Sequence, residues 1–265
     1  MELLLFSADP TFVRAATAAG VDGVIVDWEH RGKARRQRDA DTQINRDTLD
    51  DLVAVRRATQ GRVICRINGH YPGTKDEVEQ AIGAGVDEIL LPMVYEPSEV
   101  EVTLKAADGT CGVGIMIETE EAVSNAAALG RMPISRAYIG LNDLAIERGS
   151  ANLFEAVADG TVERVISLLE VPVGFGGLTL PDRGSPISCR LLIGEMARLS
   201  CAFSFLRRSF HRDVEERQLP EAVRSIRSAL AAARRRPAVQ VTEDRRALAA
   251  AIHDWSRPAG RATGG

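Results

Sequence analysis

Short runs of Val, Ile and Leu recur along the chain, and each is followed by a stretch in which apolar residues return every three or four positions. Apolar runs without polar alternation suit strands covered on both faces, and the second pattern suits helices that do the covering. The strands so predicted are Leu3–Ser7, Gly23–Glu29, Val63–Asn68, Glu88–Met93, Gly112–Thr119, Ala137–Asp143, Pro172–Gly177 and Cys201–Arg208. The helices between and after them are Pro10–Ala19, Thr48–Ala58, Thr74–Ala84, Pro97–Ala107, Glu120–Leu129, Leu153–Leu169, Pro186–Leu199 and Pro220–Arg235. Several open on Pro or a capping Thr and close near Gly, as helix ends prefer. Eight strands, each followed by a helix with no break in composition, predict a single-domain (β/α)8 TIM barrel over residues 1–235. Residues 236–265 add a C-terminal helix, Thr242–Trp255, and a Gly/Ala/Arg-rich tail expected to fray. No GxGxxG or GxxxxGK[ST] follows a strand, and Gly174-Phe175-Gly176-Gly177 lacks that spacing, which removes most support for a nucleotide-binding sheet.

Composition narrows the partner rather than the fold. The 265 residues are 45% hydrophobic and 26% charged, with a net charge of −4. With an isoelectric point near 5.7, no global field draws nucleic acid or an anionic membrane, so a small molecule is the expected partner. No run approaches the roughly 18 apolar residues that span a bilayer. The start, Met1 to Phe6, has no basic region or cleavage site of a secretory signal, so the expected location is cytoplasmic. Cys65, Cys111, Cys189 and Cys201 are scattered and read as buried free thiols.

In such barrels the active site lies at the carboxyl ends of the strands. That filter selects Asp27-Trp28-Glu29-His30 at the end of strand two, Arg66-Ile67-Asn68 at the end of strand three, Glu118-Thr119-Glu120 at the end of strand five and Asn142-Asp143 at the end of strand six. Glu118 and Asp143 follow apolar strands at equivalent depths and suit a hard divalent cation, Mg²⁺ first and Mn²⁺ or Co²⁺ as alternatives, with open positions for water and substrate. The competing role for both acids is capping the next helix. Arg66 ends a buried strand and must face a ligand or pair with Asp27 or Glu29. His30 is the histidine at a barrel top with acids nearby and is the leading acid/base candidate; His211 is a weaker second. Trp28, Pro92, Met93 and Asn142 are expected to line the substrate. The stretch Arg31–Arg38 carries five positive charges; it either clamps an anionic tail or is a solvated loop neutralised by Asp39, Asp41 and Asp47.

The strings Val24-Ile25-Val26-Asp27-Trp28-Glu29-His30, Arg66, Leu90-Leu91-Pro92-Met93-Val94, Ile117-Glu118-Thr119 with Glu121-Ala122-Val123, and Ile139-Gly140-Leu141-Asn142-Asp143-Leu144 together resemble the hydroxy-oxo-heptanedioate aldolase and citrate lyase beta-subunit family, in order from about residue 3 to residue 215. The resemblance implies a metal-dependent carbon–carbon lyase that forms or cleaves a 4-hydroxy-2-oxo acid through a pyruvate-type enolate. It assigns Glu118 and Asp143 to the metal, Arg66 to the substrate and His30 to acid/base work; Asp27 and Glu29, in the same mouth, are further catalytic candidates. The implied partners are a 2-oxo acid with an aldehyde, or an acyl thioester, and further copies of the chain in a trimer or hexamer built with the last helices. Two departures stand out. Gly83 occupies the place of the aspartate that pairs with the histidine in the aldolase branch, and the short connection from Met93 to Glu118 looks like the citrate lyase side. The alternatives are therefore a coenzyme A thioester lyase of the citryl or malyl type and a silent barrel serving as a binding module.

Overall fold

The computed structural model describes residues 1–33 and 47–256. Among them, parallel strands β1 (Glu2–Phe6), β2 (Gly23–Asp27), β3 (Arg62–Arg66), β4 (Glu88–Leu91), β5 (Gly112–Ile117), β6 (Arg136–Ile139), β7 (Val173–Phe175), β8 (Gly177–Leu178) and β9 (Phe203–Leu206) form one sheet in the order β7-β6-β5-β4-β3-β2-β1-β9-β8. The predicted seventh strand is thus two pieces. Gly176 between them has φ +60°, a left-handed conformation that glycine adopts without a Cβ clash. Its bend lets β7 pair with β6 while β8 pairs with β9. The Ala202 N–H donates to the Val173 carbonyl at 2.8 Å and closes the circle. The chain is a (β/α)8 barrel.

Alternation along the strands sorts side chains into two cores. Leu4, Ile25, Ile64, Leu90, Met116, Tyr138, Phe203 and Phe205 fill the barrel interior. The larger cluster, with Leu3, Val24, Val63, Ile89, Ile115 and Phe175, lies between strands and helices. Below the interior layer, Arg136 holds Glu88 at 2.8 Å and Glu2 at 3.0 Å, a buried ion group at the base that leaves the opposite end of the barrel for chemistry.

Two predicted helices are broken where the backbone leaves the helical region. Glu120–Leu129 splits into Glu120–Ser124 and Ala126–Leu129, and Leu153–Leu169 into Glu155–Ala158 and Thr161–Ser167 around Gly160 at φ +82°. The predicted strand Ala137–Asp143 ends early: β6 stops at Ile139 and a helix, Leu141–Glu147, begins at once. The C-terminal helix is longer than its prediction, Ala238–Ser256. It lies on Cys189–Arg198 of its own chain, buries Leu248 and Ile252, and accepts a 3.0 Å hydrogen bond from Asn152 to the Ile252 carbonyl. Cys65, Cys189 and Cys201 are buried, whereas Cys111 is half-buried. Among the described residues no helix is long and apolar enough to cross a membrane.

Candidate active site

Asp27 ends β2 and Arg66 ends β3, and strand register sets them side by side. The guanidinium lies edge-on to the carboxylate, with Nε donating to Oδ1 at 2.8 Å and Nη2 to Oδ2 at 2.7 Å. Its remaining edge is held more loosely. Nη1 is 3.4 Å from Glu29 and 3.8 Å from the Met116 sulfur, and the cation lies over the Phe6 ring at 4.7 Å. The ion pair expected as one alternative for Arg66 is therefore present. Burial opposes ionisation of Asp27, but Arg66 and Lys33 outweigh it and hold the carboxyl below its usual range.

Lys33 was legible only as part of a basic stretch. Residues 34–38 of that stretch, with Asp39 and Asp41, lie outside the described residues. Lys33 itself is 3% exposed, with its ammonium 3.1 Å from both Asp27 and Glu29. It is a buried counter-ion of the site, neither an exposed clamp nor a solvated charge. Arg31 is exposed and stacks over the Tyr71 ring at 4.1 Å.

Glu118 follows β5 and is 2% exposed. Its Oε1 accepts the Met93 N–H at 2.9 Å. Met93 presents that donor from a left-handed backbone, φ +50°, a conformation that a side chain with a Cβ adopts at a cost of about 1–2 kcal/mol. The other oxygen lies against Gly140, where an added Cβ would sit 2.3 Å away. Burial first, then the charges of Asp143 and Glu29, push the Glu118 carboxyl up to about 8, against Arg66 and the Met93 N–H.

Capping is not the role of Glu118, because Thr119 caps the next helix and accepts the Ala122 N–H. Asp143 is not at the depth expected of a strand end: it lies in the first turn of Leu141–Glu147, four residues beyond β6. Its charge still reaches Glu118, so the two carboxylates share one mouth. Asn142 beside it is half-buried. Two carboxylates in a pocket already crowded with negative charge form a donor set suited to a hard divalent cation.

His30 is exposed at the rim. The Asn68 side chain accepts the backbone N–H groups of His30 and Arg31 at 3.0 and 2.9 Å. Glu77 anchors Asn68 in turn through its backbone and side-chain N–H groups, at 3.0 and 2.6 Å. The His30 Nδ1 is 2.9 Å from the Trp28 carbonyl. A carbonyl can only accept, so this contact places the proton on Nδ1 and leaves Nε2 as the basic nitrogen of the neutral ring. Gly83 ends the helix Thr74–Gly83 that leads back to the base of β4. Within one chain that position is at the end of the barrel opposite His30.

Other expectations fare unevenly. Trp28 does not face the mouth: it packs in the outer core and its indole N–H donates to the Thr48 carbonyl at 3.1 Å. Pro92 and Met93 are buried beside Gly69, and Met93 acts through its backbone. His211 is half-buried against Phe12, ring centroids 4.7 Å apart, and burial lowers its pKa. Tyr138, Gly140 and Arg207 were missed. Tyr138 stacks on Phe205 beneath Glu118 and donates to the Gly176 carbonyl. The signal for Gly140 was a glycine between an apolar strand and Asn142-Asp143; for Arg207 it was the period-two row Phe203, Phe205, Arg207.

A search of curated protein sequences finds no match. Among solved structures, the citrate synthase SbnG superposes with a TM-score of 0.60 at 17% identity, covering 86% of this chain and 93% of its own. RipC from Yersinia pestis gives 0.56 at 13% identity, covering 91% and 98%. The 3-hexulose-6-phosphate synthase from Salmonella typhimurium gives 0.59 at 12% identity, covering 88% and 100%. Identities this low establish the shared barrel alone. The sequence model of the HpcH/HpaI aldolase/citrate lyase family matches residues 2–155, which takes in β1 to β6 with Asp27, Glu29, His30, Arg66, Glu118 and Asp143. That match spans more than half of the chain, and the protein belongs to the HpcH/HpaI aldolase/citrate lyase family.

Proposed function

We propose that this chain is a divalent-metal-dependent carbon–carbon lyase that makes or breaks a 4-hydroxy-2-oxo acid through a pyruvate-type enolate. The observation that carries the reading is the buried Glu118 carboxylate, set beside Asp143 and facing the Arg66 cluster. Glu118 and Asp143 would hold the cation, with Mg²⁺ first and Mn²⁺ or Co²⁺ as substitutes. When bound, such an ion supplies Lewis-acid polarisation of a carbonyl oxygen.

The protein's own groups do the rest. Asp27 clamps one edge of Arg66, and the other edge, at Nη1, is held more loosely by Glu29 at 3.4 Å and the Met116 sulfur at 3.8 Å. A substrate carboxylate or developing enolate oxygen would replace those weak contacts with charge-assisted hydrogen bonds. Lys33 keeps Asp27 and Glu29 neutralised while Arg66 is so engaged. His30, through Nε2, would take the proton of the 4-hydroxyl in cleavage and return it in condensation. We further propose a small anionic substrate and a homo-oligomer of trimer or hexamer size as the working assembly.

The test is proton–deuterium exchange at the methyl group of pyruvate in D₂O with added Mg²⁺ or Mn²⁺. Metal-dependent exchange by the wild type, lost in Glu118→Ala with the fold retained, is expected. Exchange that persists in Glu118→Ala would refute the metal assignment. Absence of exchange in the wild type, with cleavage of a coenzyme A thioester instead, would move the chain to the citryl or malyl type of lyase.

A further inference from the structure

His30 and Arg31 are exposed at the rim of the barrel, where water is available to their backbone N–H groups without help from the protein. One buried side chain takes both groups instead. Asn68, 1% exposed, is the second residue beyond β3, and its Oδ1 accepts the His30 N–H at 3.0 Å and the Arg31 N–H at 2.9 Å. Two backbone donors settle which end of the Asn68 amide is the oxygen. The other end faces Glu77: Nδ2 donates to Glu77 Oε1 at 2.6 Å, and the Asn68 backbone N–H donates to Oε2 at 3.0 Å.

Glu77 is itself held. It lies in the first turn of the helix Thr74–Gly83, where the helix dipole favours a carboxylate, and its Oε1 also accepts the Tyr71 hydroxyl at 2.8 Å. Tyr71 is pinned to the start of that helix by Thr74, whose hydroxyl accepts the Tyr71 N–H at 2.9 Å and donates to its carbonyl at 2.8 Å. The Tyr71 ring fills the space of a Gly73 side chain, 2.5 Å from where a Cβ would be, and carries the Arg31 guanidinium on its face at 4.1 Å. Arg31 is therefore tied to Glu77 twice, by its N–H through Asn68 and by its side chain through Tyr71.

A buried Asn–Glu pair that holds the amides of an exposed turn adds little to stability; what it fixes is direction. The His30 ring turns about two bonds, and its Nδ1 is 2.9 Å from the Trp28 carbonyl. That carbonyl is rigid, because Trp28 is buried, its N–H donates to the Arg66 carbonyl at 2.8 Å and its indole N–H to the Thr48 carbonyl at 3.1 Å. Among the described residues no acid pairs with the ring. Its tautomer is thus set by a contact between residues two apart, which survives only while the backbone between them keeps its shape.

We infer that Asn68 and Glu77 are positioning residues of the site: by clamping the backbone of His30 they hold its ring on the Trp28 carbonyl, which keeps the proton on Nδ1 and leaves Nε2 free as the base. The pair acts through His30 and touches no substrate. The inference rests on the proposed acid/base role of His30 for its bearing on turnover, although not for the state of the ring.

The test uses the full-length protein with isotopically labelled histidine. The chain has four histidines, and His30→Gln identifies the His30 ring signals in the NMR spectrum. At alkaline pH, where imidazoles are neutral, the wild type is expected to show His30 mainly as Nδ1–H, whereas histidine free in water favours Nε2–H. Losing the clamp should lower the ratio of Nδ1–H to Nε2–H about threefold to tenfold in Asn68→Ala, and likewise in Asn68→Asp, which sets two carboxylates face to face. The His211 and His253 signals should not move. Adding Glu77→Gln to Asn68→Asp exchanges amide and carboxylate across the same contact and should return the ratio to that of the wild type. Turnover of pyruvate with acetaldehyde should follow the ratio, kcat falling on the order of tenfold in each Asn68 variant and recovering in the double variant, with KM within about twofold throughout. A wild-type ring in the Nε2–H form, an unchanged ratio in both Asn68 variants, or a lowered ratio that Glu77→Gln does not recover would each overturn the inference. If the wild type turns over no pyruvate and aldehyde pair, a ratio that falls and recovers in this order upholds the positioning pair while the aldolase reading falls.

Discussion

Replacing Gly140 with Ala tests whether the Glu118 carboxylate must lie where it does. The backbone there, φ −84° and ψ 90°, is open to any residue, so the substitution adds no conformational strain and acts through its methyl group alone. That methyl would sit 2.3 Å from Glu118 Oε2 and 2.8 Å from Glu118 Cβ, against an ordinary carbon contact of about 3.5–4.0 Å. Rotating the carboxylate relieves the first clash but not the second, because Cβ moves only with the backbone of β5. Rotation also breaks the 2.9 Å bond from the Met93 N–H, whose left-handed backbone serves that contact. Overpacking of this kind costs about 1–3 kcal/mol, with each kcal/mol worth roughly 2–4 °C in Tm for a domain of this size. A carboxylate displaced by about 1 Å lowers activity on the order of 100-fold. Calorimetry of the metal-free protein gives the first number, and pyruvate methyl exchange with a Mn²⁺ titration gives the second. An Ala variant with wild-type exchange and wild-type Mn²⁺ affinity would refute the reasoning, whatever its Tm, since it would mean that the position of Glu118 does not matter to the site.

Lys33→Met removes a buried counter-ion shared by Asp27 and Glu29; a loss near the lower end of about 3–5 kcal/mol is expected because Arg66 remains, and urea unfolding should show part of it restored by adding Asp27→Asn. The Glu118 carboxyl, raised from 4.5 to about 8 in the metal-free fold, holds a proton through that window which the unfolded chain releases. Stability of the metal-free protein should therefore fall as pH rises from about 4.5 to about 8, by up to about 1.4 kcal/mol per pH unit from this group, and parallel urea midpoints for wild type and Glu118→Gln in chelator would count against it.

The barrel was readable because its strands are covered on both faces and so appear as unbroken apolar runs, Val24-Ile25-Val26 and Gly114-Ile115-Met116-Ile117 among them. Where the prediction slipped, the cause was local. Ile139 to Leu141 is apolar on both sides of Gly140, so nothing in the hydrophobic pattern marks the change from strand to helix that puts Asp143 one turn into Leu141–Glu147. The split of the seventh strand depends on the positive φ of Gly176, and glycine identity alone does not reveal which glycines take that conformation.

The site was legible in its acids and less so in what surrounds them, and the difference has a physical source. A carboxylate at the end of an apolar strand stands out because burial without a partner is unfavourable, which is how Glu118, Asp27 and Asp143 could be picked from the sequence. The residues that shape those acids leave no such mark. Lys33 sits in a run of basic residues and becomes a buried ion-pair partner only because the chain turns back over β2 after Glu29. Gly140 matters for the atom it lacks. Met93 matters for a backbone N–H that every residue except proline possesses. Arg207 extends an inward-facing aromatic row and is noticed only when the counter-ions of its neighbours have been assigned and it is left with a carbonyl. Charge at a strand end is thus a sequence signal, whereas the pairing that decides what that charge does is settled by the neighbouring strands: Asp27 ties Arg66 partly to the fold, and the Gly177 carbonyl takes both Nε and Nη2 of Arg207.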